Sequence, residues 1–360
     1  MRVAGVPGAL WFAIIVWFTH LLSLSASVDV YSRFRVQMGL GPITRTDRYT
    51  GGSCEGLDVD MQAVYNEAID MAAVSIEAIN SYATDKVIRA TLKSFFGIQP
   101  DSADPTLVAA ESISLLNTVR NTFQGIIDDS HNTHNGLNPG LFCSDKWAWK
   151  TRWLYNMRTG RRTGKLLTTV KAPSPLWWTP LYKRYVGGIN SITCTGTVLA
   201  YTTFGDATSI TFCPQSFEWP KRKDSLAPWK GENPERKIME GKPMKLTMST
   251  AGTFLHELCH LVFRECLDKK VDGEVAYGPD LVILLAAANP RDAVLNADSY
   301  RWFANAMYIN SIDWSRGISA MRDDKKKLAQ RSNDSIAIND DDDGPLKRGD
   351  RILGGPIIHS

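Results

Sequence analysis

Thr253-Phe254-Leu255-His256-Glu257-Leu258-Cys259-His260-Leu261-Val262-Phe263 holds His-Glu-x-x-His inside a run of helical periodicity. On a helix, His256 and His260 project from one face, one turn apart. Two neutral imidazoles so placed can bind one Zn2+, with Glu257 beside any water that fills an open coordination position. That arrangement suits metal-assisted peptide hydrolysis. The bare pattern also arises by chance on amphipathic helices, so its setting matters. Ser249 or Thr250 can cap the helix, and Phe254, Leu255, Leu258, Leu261 and Val262 give it a broad apolar face. Two histidines and a glutamate on a buried helix need partners, because unpaired buried polar groups are costly.

A catalytic zinc site needs a third protein ligand and one position left for water. The nearest acids downstream are Glu265, Asp268, Asp272, Glu274 and Asp280. No further histidine follows at the His-x-x-Gly-x-x-His spacing of metzincins, so the third ligand is expected to be a carboxylate. Cys259 lies inside the same helical turn as the histidines, at an azimuth of its own, and carries little weight as a ligand.

Outward from this helix, the chain of 360 residues is 44% hydrophobic and 22% charged, enough to bury one large core or two small ones. A formal charge of +3 implies no particular partner. Arg2 precedes an apolar stretch from Ala9 to Leu24 that ends in Ser25-Ala26-Ser27, so residues 1–27 read as a signal peptide. An uncleaved anchor is the alternative, but the run is short for a span and is interrupted by His20. Stable membrane insertion is therefore not expected. The cysteines Cys54, Cys143, Cys194, Cys213, Cys259 and Cys266 are even in number in a chain bound for an oxidising compartment, which predicts disulfides without fixing their pairing.

Residues 28–50 lack strong periodicity and read as an amino-terminal extension or short pro-region ahead of a catalytic domain over 51–316. Helical spacing of apolar residues runs from Asp58 to Phe96 and again from about Pro105 to Ile127. A polar loop from Asp128 to Asn138 holds His131 and His134, where a second metal site is conceivable and exposed polar residues are commoner. Lys146 to Leu154 alternates tryptophans with charges, as a half-buried strand does, with a hairpin partner over Thr163 to Val170. The basic, tryptophan-rich stretch to Arg184 is also compatible with a polyanion surface, but a core face and a solvated face explain it better, and no nucleic-acid partner is expected. Two strands, Thr197 to Phe204 and Ala207 to Cys213, flank Gly205-Asp206. Pro214 to Met244 reads as a long surface loop. After the histidine helix come a polar turn, an apolar helix over Leu281 to Ala288, and a helix that Asn289-Pro290 opens and that reaches about Ile309. Residues 317–360 form a charged tail, read as disordered, with the sequon Asn333-Asp334-Ser335.

The histidine motif, an acidic turn ending in Tyr277-Gly278, and Asn296-Ala297-Asp298-Ser299-Tyr300 together resemble the deuterolysin family of zinc endopeptidases, the aspzincins. The similarity is clearest from Ile210-Thr211-Phe212-Cys213-Pro214 to Ala306. In that family the third ligand is an aspartate in Gly-Thr-x-x-Asp-x-x-Tyr-Gly, and here the matching position is Glu274. The resemblance thus implies Zn2+ held by His256, His260 and Glu274, with Asp272 as the next candidate. It places Asp298 at the floor of the pocket for the residue after the scissile bond, where a basic side chain would be drawn. Lysine-specific relatives carry a second acid one turn on, and here that position is Arg301, which would neutralise the pocket.

The expected fold is α+β and zincin-like: helices packed on a small twisted sheet, with residues 207–213 as the edge strand along which a peptide can pair. The expected function is that of a secreted, monomeric zinc metalloendopeptidase with one ion, acting on protein or peptide. Glu257 would serve as general base and Tyr277 as donor to the oxyanion. The alternative from another class is a secreted binding protein that keeps the scaffold without catalysis.

Overall fold

The computed structural model describes residues 29–36, 52–54, 57, 59–128, 138–167, 176–186, 194–218, 225–230 and 240–322. The apolar amino-terminal run, His131, His134, the sequon and the tail beyond 322 lie outside them. In chain order the helices are α1 (Val30–Arg33), α2 (Met61–Asn80), α3 (Lys86–Phe96), α4 (Ile113–Asp128), α5 (Gln215–Glu218), α6 (Thr250–Val262), α7 (Pro279–Ala288), α8 (Pro290–Ala293) and α9 (Ala297–Tyr308). The strands are β1 (Arg35–Val36), β2 (Gly140–Phe142), β3 (Trp149–Lys150), β4 (Trp153–Tyr155), β5 (Arg162–Leu166), β6 (Trp177–Thr179), β7 (Arg184–Val186), β8 (Ala200–Thr203), β9 (Ser209–Phe212), β10 (Lys270–Val271), β11 (Glu274–Val275), β12 (Ile312–Asp313) and β13 (Ala320–Met321). Helices and several small sheets make this an α+β architecture.

The histidine helix α6 is the hub, packed against α2, α4 and α9 on its buried sides and against β8 on the other. Its sequence explains its limits. Ser249 accepts a hydrogen bond from the Gly252 amide at 3.0 Å, the N-cap that releases the chain into helix, and at Phe263 the backbone turns extended. Phe254 is fully buried, its ring within 5.2–5.7 Å of those of Phe212 on β9, Tyr65 on α2 and Phe34 just after α1. Truncating such a ring to alanine costs about 3–5 kcal/mol.

The main sheet has the order β1-β2-β9-β8, parallel except for the antiparallel β8–β9 pair. Three expectations change here. Residues 209–212 are interior, between β2 and β8, and the edge on that side of the sheet is Ala200–Thr203. Of the stretch read as an extension, residues 29–36 are part of the fold, since Val30 and Phe34 are buried in the core and β1 extends the sheet. Finally, residues 145–147 form a 3-10 turn in place of strand, because Ser144 caps it and Trp147 is needed in the core. There Trp147 stacks on Phe142 at 4.5 Å and donates through Nε1 to Thr211 Oγ1 at 2.9 Å. Strand resumes at β3 and β4, and β4 pairs with β5, which overlaps the expected hairpin partner.

Capping residues also divide two expected helices. The 58–96 periodicity is broken at Ser81–Asp85, where Asp85 accepts from the Val87 and Ile88 amides and starts α3 afresh. Gly97, at φ +70°, closes α3 in the left-handed conformation. Downstream, Asn289 caps the short α8, and α9 begins anew at Ala297.

Asp85 also pairs with Arg322, and both this pairing and its cap bonds act against burial to hold its carboxyl below the usual range. Asp85→Ala is expected to destabilise the protein by about 1–2 kcal/mol, the worth of an aspartate cap. A depressed folded pKa stabilises above the unfolded value and loses that contribution as pH falls through the folded one. Urea melts should therefore show the gap between wild type and Asp85→Ala wide at pH 7 and narrowing below about pH 4.

Cys54 is bonded to Cys143 and Cys194 to Cys213, fastening the ends of β2 and β9. Cys259 and Cys266 are buried free thiols. Among the described residues, no helix is long and apolar enough to cross a membrane.

Candidate metal centre

Helix α6 holds His256 and His260 with only 7% of each exposed, their Nε2 atoms 3.2 Å apart. The far side of each ring has its own anchor. His260 Nδ1 lies 2.6 Å from the Cys266 carbonyl oxygen, which only accepts, so Nδ1 carries the proton and Nε2 is left with its lone pair. His256 Nδ1 faces Asp298 Oδ1 at 3.3 Å, an electrostatic contact that lacks hydrogen-bond alignment. Asp298 is fully buried and its other oxygen accepts from the Gly278 amide at 2.6 Å and Trp302 Nε1 at 2.7 Å. A carboxylate behind a histidine in this way orients the ring and strengthens it as a ligand.

Asp268 completes the cluster. Its Oδ1 is 3.2 Å from His256 Nε2 and 3.6 Å from His260 Nε2. Its Oδ2 accepts from the Tyr277 hydroxyl at 2.7 Å. One donor atom from each of His256, His260 and Asp268 lies within 4.8 Å of the other two. Two imidazole lone pairs and a carboxylate oxygen pointed at one spot repel one another unless a cation or protons sit between them. The residues therefore fit a divalent ion of the imidazole and carboxylate class, with zinc foremost.

Glu274, the ligand that the family resemblance implies, stands in β11, exposed and apart from the histidines. Asp272, the next candidate, is also exposed, in the two-residue turn Asp272-Gly273, where φ is +52° and +85° as a type I′ hairpin requires. That hairpin carries both acids away from the cluster of His256, His260 and Asp268. Val271 pairs with Glu274 and Lys270 with Val275, and below them the Ala276 amide donates to the Lys269 carbonyl at 2.8 Å, so 270–275 loop out and return the chain to where it left. Without them the chain reads Asp268-Lys269-Ala276-Tyr277-Gly278, an aspartate three positions before Tyr-Gly.

Asn296 fixes the base of this loop. Its Oδ1 accepts from the Lys269 amide at 3.0 Å, and its Nδ2 reaches the Ala276 carbonyl at 3.4 Å. Leu267 is bonded to the same segment through the Leu295 carbonyl and the Ala297 amide. The sequence showed Asn296 only as a motif residue; its hold on both ends of the loop needed coordinates.

Glu257 is 3% exposed and accepts through Oε2 from Thr202 Oγ1 of β8 at 2.7 Å. Burial raises its pKa, and the neighbouring histidines and Thr202 pull the other way. Burial works to lower His256 and His260, but bonding to Asp268, assisted at His256 by Asp298, outweighs it and raises both. Asp268, conversely, is depressed by the two histidines in spite of its burial.

Two cavities meet at the cluster. One, of about 530 Å³, is lined by Glu257, Tyr277, Asp298, Arg301 and Trp302. The other, of about 690 Å³, runs along β8 past His260 and Asp268. Arg301, expected beside Asp298, is there: its Nη1 lies 3.4 Å from Asp298 Oδ1. Asp298, which lines the same cavity, thus has four donor groups around it: His256, Gly278, Trp302 and Arg301.

No family profile matches the chain, and no curated protein is similar to it at a significant level. Among solved structures, the chain is similar to a zinc peptidase from Grifola frondosa, at 15% sequence identity and a TM-score of 0.32, over 68% of this chain and 93% of that one.

Proposed function

We propose that this chain is a secreted zinc endopeptidase, with His256, His260 and Asp268 as the metal ligands. The observation that carries the reading is the convergence of two Nε2 atoms and one carboxylate oxygen beside a buried glutamate. A zinc ion there would supply Lewis acidity, acidifying a water and polarising the scissile carbonyl. Glu257 takes the water's proton and passes it to the leaving amine. Thr202 holds one oxygen of that carboxylate, which leaves the other for the proton. The Tyr277 hydroxyl has a single proton: at rest it serves Asp268, and in the transition state it donates to the oxyanion. An extended peptide would lie along β8, whose outer edge no strand occupies among the described residues. The two disulfides suit export to an oxidising compartment.

The reading is tested by casein hydrolysis with and without a chelator, alongside elemental analysis for zinc. One equivalent of zinc and chelator-sensitive cleavage support it; a metal-free protein, or zinc without cleavage, contradicts it, and the latter outcome would favour the non-catalytic scaffold. With Asp268 as ligand, the third ligand is an aspartate, the residue type that the resemblance implies at that position.

Thr202 yields a second expectation. Its hydrogen bond favours the ionised form of Glu257, so Thr202→Val should raise the Glu257 pKa further and move the acid limb of the pH-rate profile to higher pH. Loss of one hydrogen bond to a charged group, about 1.5 kcal/mol, corresponds to a shift of about one pH unit. An unmoved acid limb would contradict the assignment of Glu257 as base.

A further inference from the structure

Arg301 and Glu257 line one cavity. Arg301 is 7% exposed, lines the cavity of about 530 Å³ next to Glu257, and its Nε and Nη2 are buried with no hydrogen-bond partner among the described residues. Its one ionic contact among the described residues, to Asp298 Oδ1 at 3.4 Å, is long, and that oxygen also faces His256 Nδ1. The Asp298 charge is thus divided, and two guanidinium donors remain unspent. The Trp302 ring, 4.9 Å from the Arg301 Cζ, helps hold the group in place. A buried guanidinium with two unmet donors is costly unless an acceptor arrives, and its fork matches a carboxylate. Of the other charged groups lining the cavity, Lys245 is exposed and adds a second cation, Asp280 is exposed at the start of α7, and Glu257 is committed to the reaction.

From a buried Arg301 that lines a cavity opening at the reaction centre, and whose Nε and Nη2 no described residue satisfies, we propose that this cavity is a carboxylate subsite, which makes the enzyme select substrates with an anionic group beside the scissile bond. This rests on the peptidase reading above. The carboxylate can be an Asp or Glu side chain or the free carboxyl terminus of a short peptide. A lysine ammonium in the same cavity would confront the guanidinium, a like-charge contact.

Fluorescently labelled hexapeptides test this against the full chain carrying Glu257→Gln, which binds without turnover. One carboxy-amidated peptide has a single Glu, and others have Gln or Lys in its place. A fourth has Gln and a free carboxyl terminus. The Glu peptide, the free-terminus peptide or both should bind about tenfold more tightly than amidated Gln, the worth of one charge-assisted pair. The excess should vanish when Arg301→Met is added. Which of the two binds tightly distinguishes side chain from terminus. Equal affinities, a preference for Lys, or an excess that survives in folded Arg301→Met would overturn the subsite. If Arg301→Met does not fold, cleavage sites in a peptide pool digested by the wild type decide. Acidic residues or chain ends enriched at one position flanking the cut support the subsite, and no enrichment overturns it. Absence of any cleavage by the zinc-loaded wild type would remove the peptidase reading, while the binding comparison would still judge the subsite.

Discussion

Glu257→Gln is expected to lose hydrolysis by about 10²–10⁴-fold, the usual contribution of a positioned acid–base group, while keeping its zinc. The amide is close in size to the carboxylate and can still take the Thr202 hydrogen bond through its oxygen, so the helix and the histidines should remain in place. What is lost is the site that accepts and returns a proton. Activity and metal content measured on the same preparation separate this from damage to the fold. Retained turnover would show that Glu257 is not the base.

Asp268→Ala and Glu274→Ala form the second expectation, and they should behave in opposite ways. Removing Asp268 leaves two imidazoles with no carboxylate and leaves the Tyr277 hydroxyl without its acceptor. Zinc affinity should fall by more than the roughly 10–100-fold that loss of a supporting residue costs, because a ligand itself is gone. Removing Glu274 deletes an exposed side chain of the β10–β11 hairpin and should change neither affinity nor rate. Competition with a fluorescent chelator measures both. A reversed pattern would return the third ligand to Glu274.

The contrast between these acids shows what the sequence could carry. The positions of His256, Glu257 and His260 follow from a local rule, since the helical repeat alone puts the imidazoles on one face and Ser249 marks where the helix starts. Asp268 stood among the downstream acids, but spacing counted along the chain cannot see that 270–275 leave and return to one point. The signal was present in Asp272-Gly273, a dipeptide suited to a two-residue hairpin turn, with Lys270-Val271 and Glu274-Val275 on either side. The break at Asp85 is a similar case: a residue with strong capping tendency stood inside a helical period, and the cap won.

Long-range placement was less accessible. Strand 209–212 alternates polar and apolar residues, Ser209-Ile210-Thr211-Phe212, and the sequence does not say that Gly140–Phe142 and Arg35–Val36 would line up outside it and leave β8 at the edge. The resemblance puts Asp298 at the floor of a substrate pocket; it lines the cavity of about 530 Å³, and its oxygens also face His256, Gly278, Trp302 and Arg301. Partners one helical turn apart, such as Trp302, were open to inference. The Gly278 amide was not, because a separate loop brings it there.

The most direct measurement is a crystal structure of the zinc-loaded protein. The expected result is one ion with His256 and His260 Nε2 at about 2.0–2.1 Å and an Asp268 oxygen at about 2.0–2.2 Å, with a further position open to solvent. An ion bound through Glu274 or Asp272, or histidines that hold no metal at saturating zinc, would contradict it.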